Sequence, residues 1–179
     1  MNKANLIIGG ESKPPASGEY FDVLAPMTEQ AIAQAARGTA PDVEQAISCA
    51  KKGYQEWSEL APNRREAVLL KAAEILASEG ESRYLKLHMS ESGSVITKSR
   101  FEINFTVDLL RTAAGEARRL YGDTFPNDNP QRISMVFREP LGVVAVVSPY
   151  NAPLALLAKM VAFPLAAGNS VVIKPSEET

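Results

Sequence analysis

The run Val143-Val144-Ala145-Val146-Val147 has neither a polar residue nor an alternation, the pattern of a parallel strand buried on both faces. The chain then reads Ser148-Pro149-Tyr150-Asn151-Ala152-Pro153, an apolar helical stretch from Pro153 to Ala167, Gly168-Asn169, and a β-branched run, Val171-Val172-Ile173. Proline in a first helical turn and glycine just past a helix end are both well placed. Gly142 to Glu177 is therefore strand, turn, helix, strand, and the fold class is α/β. Such crossovers join parallel strands in one hand, so the turns at Ser148-Asn151 and Lys174-Glu177 leave the sheet from the same, carboxyl edge. Ligands of open α/β sheets bind at that edge.

The rest of the chain gives this unit a globular setting. Of 179 residues 45% are hydrophobic and 22% charged, with a formal charge of -2. That leaves no basic field for nucleic acid or an anionic membrane. One cysteine, Cys49, and one histidine, His88, cannot assemble a disulfide framework or a cysteine/histidine metal cluster within the chain, so no metal is expected and a reducing, cytoplasmic setting fits. Leu6-Ile7-Ile8 before Gly9-Gly10 is too short for a signal peptide's apolar region. Pro153 to Ala167 contains Lys159 and falls short of the roughly 20 apolar residues of a bilayer span.

Upstream, Leu6-Ile7-Ile8 and Tyr20-Phe21-Asp22-Val23 predict the two strands of an N-terminal hairpin. Thr39 and Asp42 stand in capping-box spacing before a helix that aligns Val43, Ala46, Ile47, Ala50, Tyr54 and Trp57. A second helix is expected from about Pro62 to Ser78, with Val68, Leu69, Ala72, Ile75 and Leu76 on its stripe and Gly80 just past its end. A short third helix carries Tyr84, Leu87 and His88 up to Ser92-Gly93. The long fourth follows Ile96, Ile103, Val107, Leu110, Ala114, Ala117 and Tyr121 to Gly122. After the turn-rich Phe125 to Pro130, the alternation of Ile133, Met135 and Phe137 with Ser134, Val136 and Arg138 predicts a strand. Arg64, Arg65, Arg111, Arg118 and Arg119, interleaved with Glu66, Asp108 and Glu116, read as solvated helix faces.

Four groups of different chemistry converge on the expected edge: an amide (Asn151), a cation (Lys174), a hydroxyl (Ser176) and a carboxylate (Glu177). A carboxylate accepts both protons of a ribose diol, and Lys174 can donate to the same sugar. No G-x-G-x-x-G follows the first strand, so the usual pyrophosphate cradle is missing there and a dinucleotide would need a glycine-rich turn elsewhere. Taken alone, Asn151 before a proline-started helix is a turn or capping residue, and Lys174 with Glu177 a solvated pair.

The segments Ser148 to Pro153, Ala166-Ala167-Gly168-Asn169 and Ile173-Lys174-Pro175-Ser176-Glu177-Glu178-Thr179, at this separation, resemble the aldehyde dehydrogenase superfamily. The resemblance extends through Pro26-Met27-Thr28 with Ile32 and Glu91-Ser92-Gly93 to effectively the whole chain, and its wording is nearest the vanillin and benzaldehyde dehydrogenase group. It implies the N-terminal portion of that fold. Residues 1–132 would be the hairpin and helical part of the NAD-binding domain, 133–140 an oligomerisation-arm strand, and 141–179 the first βαβ of the NAD-binding domain, incomplete, with the catalytic domain absent.

The implied activity is oxidation of an aldehyde to a carboxylic acid through a cysteine thiohemiacetal, with hydride passing to a nicotinamide cofactor and a glutamate activating water. In that scheme Asn151 steadies the oxyanion, Lys174 and Glu177 hold the adenosine ribose with Ser176 beside them, and the backbone of Ser148, Pro149 and Tyr150 runs along the cofactor. A carboxylate at Glu177 repels a ribose 2'-phosphate and favours NAD, while Lys174 beside it admits NADP. The implied partners are an aldehyde and, in the full-length form, further copies of the chain. Tyr150 and Ala152 replace the aromatic residues that many members carry, and the lost second ring widens the substrate channel toward bulky or aromatic aldehydes. Lys159, the one charge on its helix, either snorkels to the surface or faces that channel.

The family's cysteine, general-base glutamate and second glycine turn would lie beyond Thr179, so the chain alone is expected not to turn over aldehyde. Cys49 reads as a packing residue and His88 as a packing or surface residue, and Cys49 has no nearby base in sequence. The same resemblance admits a CoA-acylating enzyme, and a truncated product that only packs against a partner is the non-catalytic reading.

Overall fold

The computed structural model describes residues 2–179. Asn2–Ala4 (β1), Leu6–Ile8 (β2) and Glu11–Lys13 (β3) open the chain, followed by Tyr20–Ala25 (β4) and Gln30–Ala36 (β5). The expected hairpin between the Leu6 and Tyr20 runs does not form. Instead β2 pairs antiparallel with β3 across Gly9-Gly10, whose φ values of 64° and 79° make the tight turn. β4 pairs antiparallel with β5, and β1 lies parallel to β5 on its other side. The sequence reading missed β5 because Gln30-Ala31-Ile32-Ala33-Gln34-Ala35-Ala36 has little β propensity of its own; two flanking strands supply the context.

Ala40–Glu59 (α1) begins where the capping box placed it. Asp42 accepts from Thr39 N–H at 2.8 Å and from the Thr39 hydroxyl at 2.7 Å, and also from Ala16 N–H at 2.9 Å, which ties the amino-terminal loop to this helix. Pro62–Ser92 (α2) is one helix of 31 residues where two were expected. Gly80 does not stop it. A Cβ there would sit 2.8 Å from Ile103 Cγ2, so this glycine gives up about 1 kcal/mol of helix propensity to let the next helix approach. The helix ends at Gly93, whose φ of 64° makes a left-handed cap, and a Cβ on it would meet Pro26 Cγ at 2.8 Å. Glu91-Ser92-Gly93 and Pro26-Met27-Thr28 are thereby brought together.

Ile96–Glu116 (α3) packs along α2 and stops short of Tyr121, which is exposed. The expected arm strand shrinks to Ser134–Met135 (β7), paired with Thr124–Phe125 (β6); Ile133 and Phe137 on either side of it are exposed and unpaired. Val143–Val147 (β8), Pro153–Ala166 (α4) and Ser170–Lys174 (β9) form the expected parallel βαβ unit. β8 is not buried along its whole length on both faces: Val146 is 3% exposed, but Val147, at the carboxyl end of the opposite face, is 68% exposed. The core lies at the junction of α2, α3 and α4, where Leu69 meets Ala113, Ala114, Ala117, Ala162 and Ala166. Among the described residues no helix is long and apolar enough to cross a membrane.

Candidate active site

The βαβ unit is anchored from below. Gly142 N–H donates to Asn169 Oδ1 at 3.0 Å, and the Asn169 amide returns to Pro164 O at 3.0 Å, joining the start of β8 to the end of α4. Trp57 Nε1 donates to Leu165 O at 2.8 Å and the Ser170 hydroxyl to Ala50 O at 2.8 Å, so α1 grips the same end. Arg65 completes this anchor and corrects the reading of a solvated face. It is 7% exposed and donates to the carbonyls of Ala166, Ser58 and Leu60, at the carboxyl ends of α4 and α1, where a cation complements both helix dipoles. Burial pushes its guanidinium pKa down. A signal for it existed: Arg65, Leu69 and Ala73 recur at helical spacing and are all buried.

At the opposite end the register places Val147 beside Lys174, and Ser148 N–H donates to Lys174 O at 3.0 Å. The turns after β8 and β9 therefore leave one edge side by side. Lys174 and Glu177 are in direct contact and both largely exposed. Lys174 beside it holds the Glu177 carboxyl below the usual carboxylate range, helped by its own backbone N–H. Ser176 accepts from Glu178 N–H at 3.1 Å. Pro149, Tyr150 and Asn151 are exposed at the edge, whereas Ser148 is buried beside a cavity of about 220 Å³ whose walls include Tyr84, Leu87, Glu91 and Leu154. Burial raises the Glu91 carboxyl, with His88 opposing. Lys159 is exposed.

Asn151 does not cap α4: among the described residues its amide makes no hydrogen bond within the chain, and the helix has no side-chain cap from Ala152. The acceptor comes from α3. Glu102, which the sequence reading overlooked, is 1% exposed and accepts from Ala155 N–H at 3.3 Å, with Lys98 Nζ 2.8 Å from its Oε1 and His88 Nε2 3.2 Å from its Oε2. Ser99, Glu102 and Thr106 stand at the same spacing as the apolar stripe, which is the pattern that would have revealed a buried polar row. His88 is buried within this cluster, its Nδ1 3.0 Å from Ser99 Oγ, in line with a packing role.

Burial pushes the Glu102 carboxyl up, but hydrogen bonds from Lys98, Ala155 N–H and His88 outweigh it and hold it below the ordinary value. A carboxyl lowered in the folded state contributes stability above its unfolded pKa of about 4.3, and that stability is lost as pH falls through the folded value. Glu102→Gln is therefore expected to flatten the fall in Tm between about pH 5 and about pH 3. A Tm profile parallel to that of the wild type would refute the link.

The aldehyde dehydrogenase family model matches residues 13–179. Vanillin dehydrogenase from Pseudomonas fluorescens is 37% identical over 173 residues, covering 96% of this chain and 35% of that protein. The structure superposes on salicylaldehyde dehydrogenase from Pseudomonas putida G7, solved with salicylaldehyde, with a TM-score of 0.95 at 27% identity over 99% of this chain and 37% of the other. An NAD-dependent benzaldehyde dehydrogenase from Corynebacterium glutamicum gives 0.92 at 32% identity over 98% and 38%. The chain thus spans about 35% of the length of curated relatives such as the vanillin dehydrogenase. With a family match over nearly all of its length and the N-terminal portion of the fold reproduced, the chain belongs to the aldehyde dehydrogenase family.

Proposed function

We propose that this chain furnishes the oxyanion donor and the ribose clamp of an NAD-dependent dehydrogenase that oxidises aromatic aldehydes to carboxylic acids. The observation that carries the proposal is the shared edge: Asn151 and the Lys174–Glu177 pair emerge side by side from paired parallel strands, exposed and with Asn151 uncommitted. The donor set suits a ribose, since an accessible carboxylate can accept both hydroxyl protons and the adjoining ammonium can donate. Glu177 and Lys174 would hold the sugar, and the backbone from Ser148 to Tyr150 would run along the cofactor. When bound, the cofactor supplies the hydride acceptor. Asn151 donates its amide hydrogen to the developing oxyanion, and the small Ala152 leaves room for an aromatic ring beside it. Relatives named for vanillin, salicylaldehyde and benzaldehyde support that substrate class.

The exposed Ile133, Met135 and Phe137 belong to the arm that a second copy would cover. On this reading residues 1–132 and 141–179 belong to the cofactor domain, and residues 133–140 to the arm. Cys49 lies against the Gly9 turn rather than at the carboxyl edge, which suits packing and not catalysis.

The test is to express the complete polypeptide that the gene encodes and follow cofactor reduction with vanillin, salicylaldehyde and benzaldehyde. Absence of reduction with all three sinks the reading. Glu177→Ser is expected to lower the NAD over NADP preference in kcat/KM by about tenfold, by removing one like-charge contact with a 2'-phosphate. An unchanged ratio would place the ribose elsewhere.

A further inference from the structure

Helix α4 starts with a proline and no cap of its own. Pro153 has no N–H to satisfy, and Leu156 N–H closes the first turn on Ala152 O at 2.9 Å. Ala155 N–H instead meets Glu102 Oε2, which reaches it across the α3–α4 interface from a position 53 residues away in sequence. Burying a carboxylate is costly, and a site that required only packing would be served by leucine. What glutamate adds is an acceptor and a negative charge at the positive end of α4. Lys98 Nζ lies 2.8 Å from one oxygen of that carboxylate and His88 Nε2 3.2 Å from the other, so the charge is flanked by both side chains where it meets the helix. Asn151 lies four residues before Ala155, on the turn this contact tethers.

We propose that Glu102 is a positioning residue for Asn151: by holding Ala155 N–H it locates the first turn of α4 and with it the amide at the sheet edge. The inference rests on the reading of Asn151 as oxyanion donor. A shift of about 1 Å in such a group costs up to about 10²-fold in rate, so a tether distant from the chemistry has a kinetic consequence.

Glu102→Leu, Glu102→Gln, Asn151→Ala and the double variant Glu102→Leu with Asn151→Ala test it in the complete polypeptide. Glu102→Leu is expected to lower kcat by about tenfold or more with KM within about threefold of the wild type. Glu102→Gln, whose amide oxygen still accepts from Ala155, is expected to recover kcat to within about threefold. The double variant should be no slower than Asn151→Ala alone by more than about twofold, because two losses that act through one group do not add. Amide exchange over residues 152–158 should quicken in Glu102→Leu and return in Glu102→Gln, a readout independent of turnover.

A full additional loss in the double variant, equal kcat in the Leu and Gln variants, or unchanged exchange at Ala155 overturns the proposal. Failure of the oxyanion reading looks different, since Asn151→Ala would then keep its kcat. Should Glu102→Leu not fold, Glu102→Asp replaces it: the charge stays, the acceptor retreats from Ala155 by about one bond length, and the same pattern is expected.

Discussion

In the complete polypeptide, Asn151→Ala is expected to lower kcat for aldehyde oxidation by about 10²- to 10³-fold while KM changes by no more than about twofold. A donor aimed at developing negative charge acts mainly in the transition state, so its loss falls on kcat rather than on ground-state binding. The structure offers the condition for this: the side chain is exposed at the edge, and the capping work that asparagine would ordinarily do there falls to Glu102. Steady-state kinetics with one aromatic aldehyde is sufficient. A kcat within about threefold of wild type removes Asn151 from the mechanism, and a rise in KM alone would make it a substrate-binding group instead.

Leu69→Ala is expected to destabilise the chain by about 2–5 kcal/mol, read as a lower urea midpoint at unchanged slope. Leu69 is 3% exposed and faces Ala113, Ala114, Ala117, Ala162 and Ala166. The facing alanines are too short to fill the space it leaves, and relaxation falls to Leu110, Phe163 and Leu165, which pack against the same cluster. Its neighbour Val68, on the same predicted stripe, is 52% exposed, and Val68→Ala is expected to change stability by less than about 1 kcal/mol. Equal effects at the two positions would show that the α2–α3–α4 junction is not the core.

The contrast between these neighbours separates what periodicity reveals from what it leaves open. Hydrophobic spacing located α2 and α3 but gave their stripes too wide an arc, because an apolar residue at the flank of a stripe looks the same in sequence as one at its centre. Gly80 was taken for a stop, since its local propensity is poor. The structure uses its missing side chain to admit Ile103, and close approach is a property of two helices that neither encodes alone. Arg65 and Glu102 were lost for the converse reason. A charge on an amphipathic helix is usually solvated, and only the carbonyls and the N–H group presented by distant segments make burial affordable.

The amino-acid sequence by itself determined the α1 cap, the parallel βαβ unit and the common edge of Asn151, Lys174 and Glu177, because capping spacing, unbroken β-branched runs and crossover handedness are local or topological rules. Only the tertiary structure decided how the first five strands pair, that α2 is continuous, and that Asn151 leaves the capping of α4 to a carboxylate 53 residues away in sequence from Ala155. Strand pairing and buried polar contacts depend on which surfaces meet, and a backbone donor in α4 cannot specify in sequence which distant residue will satisfy it.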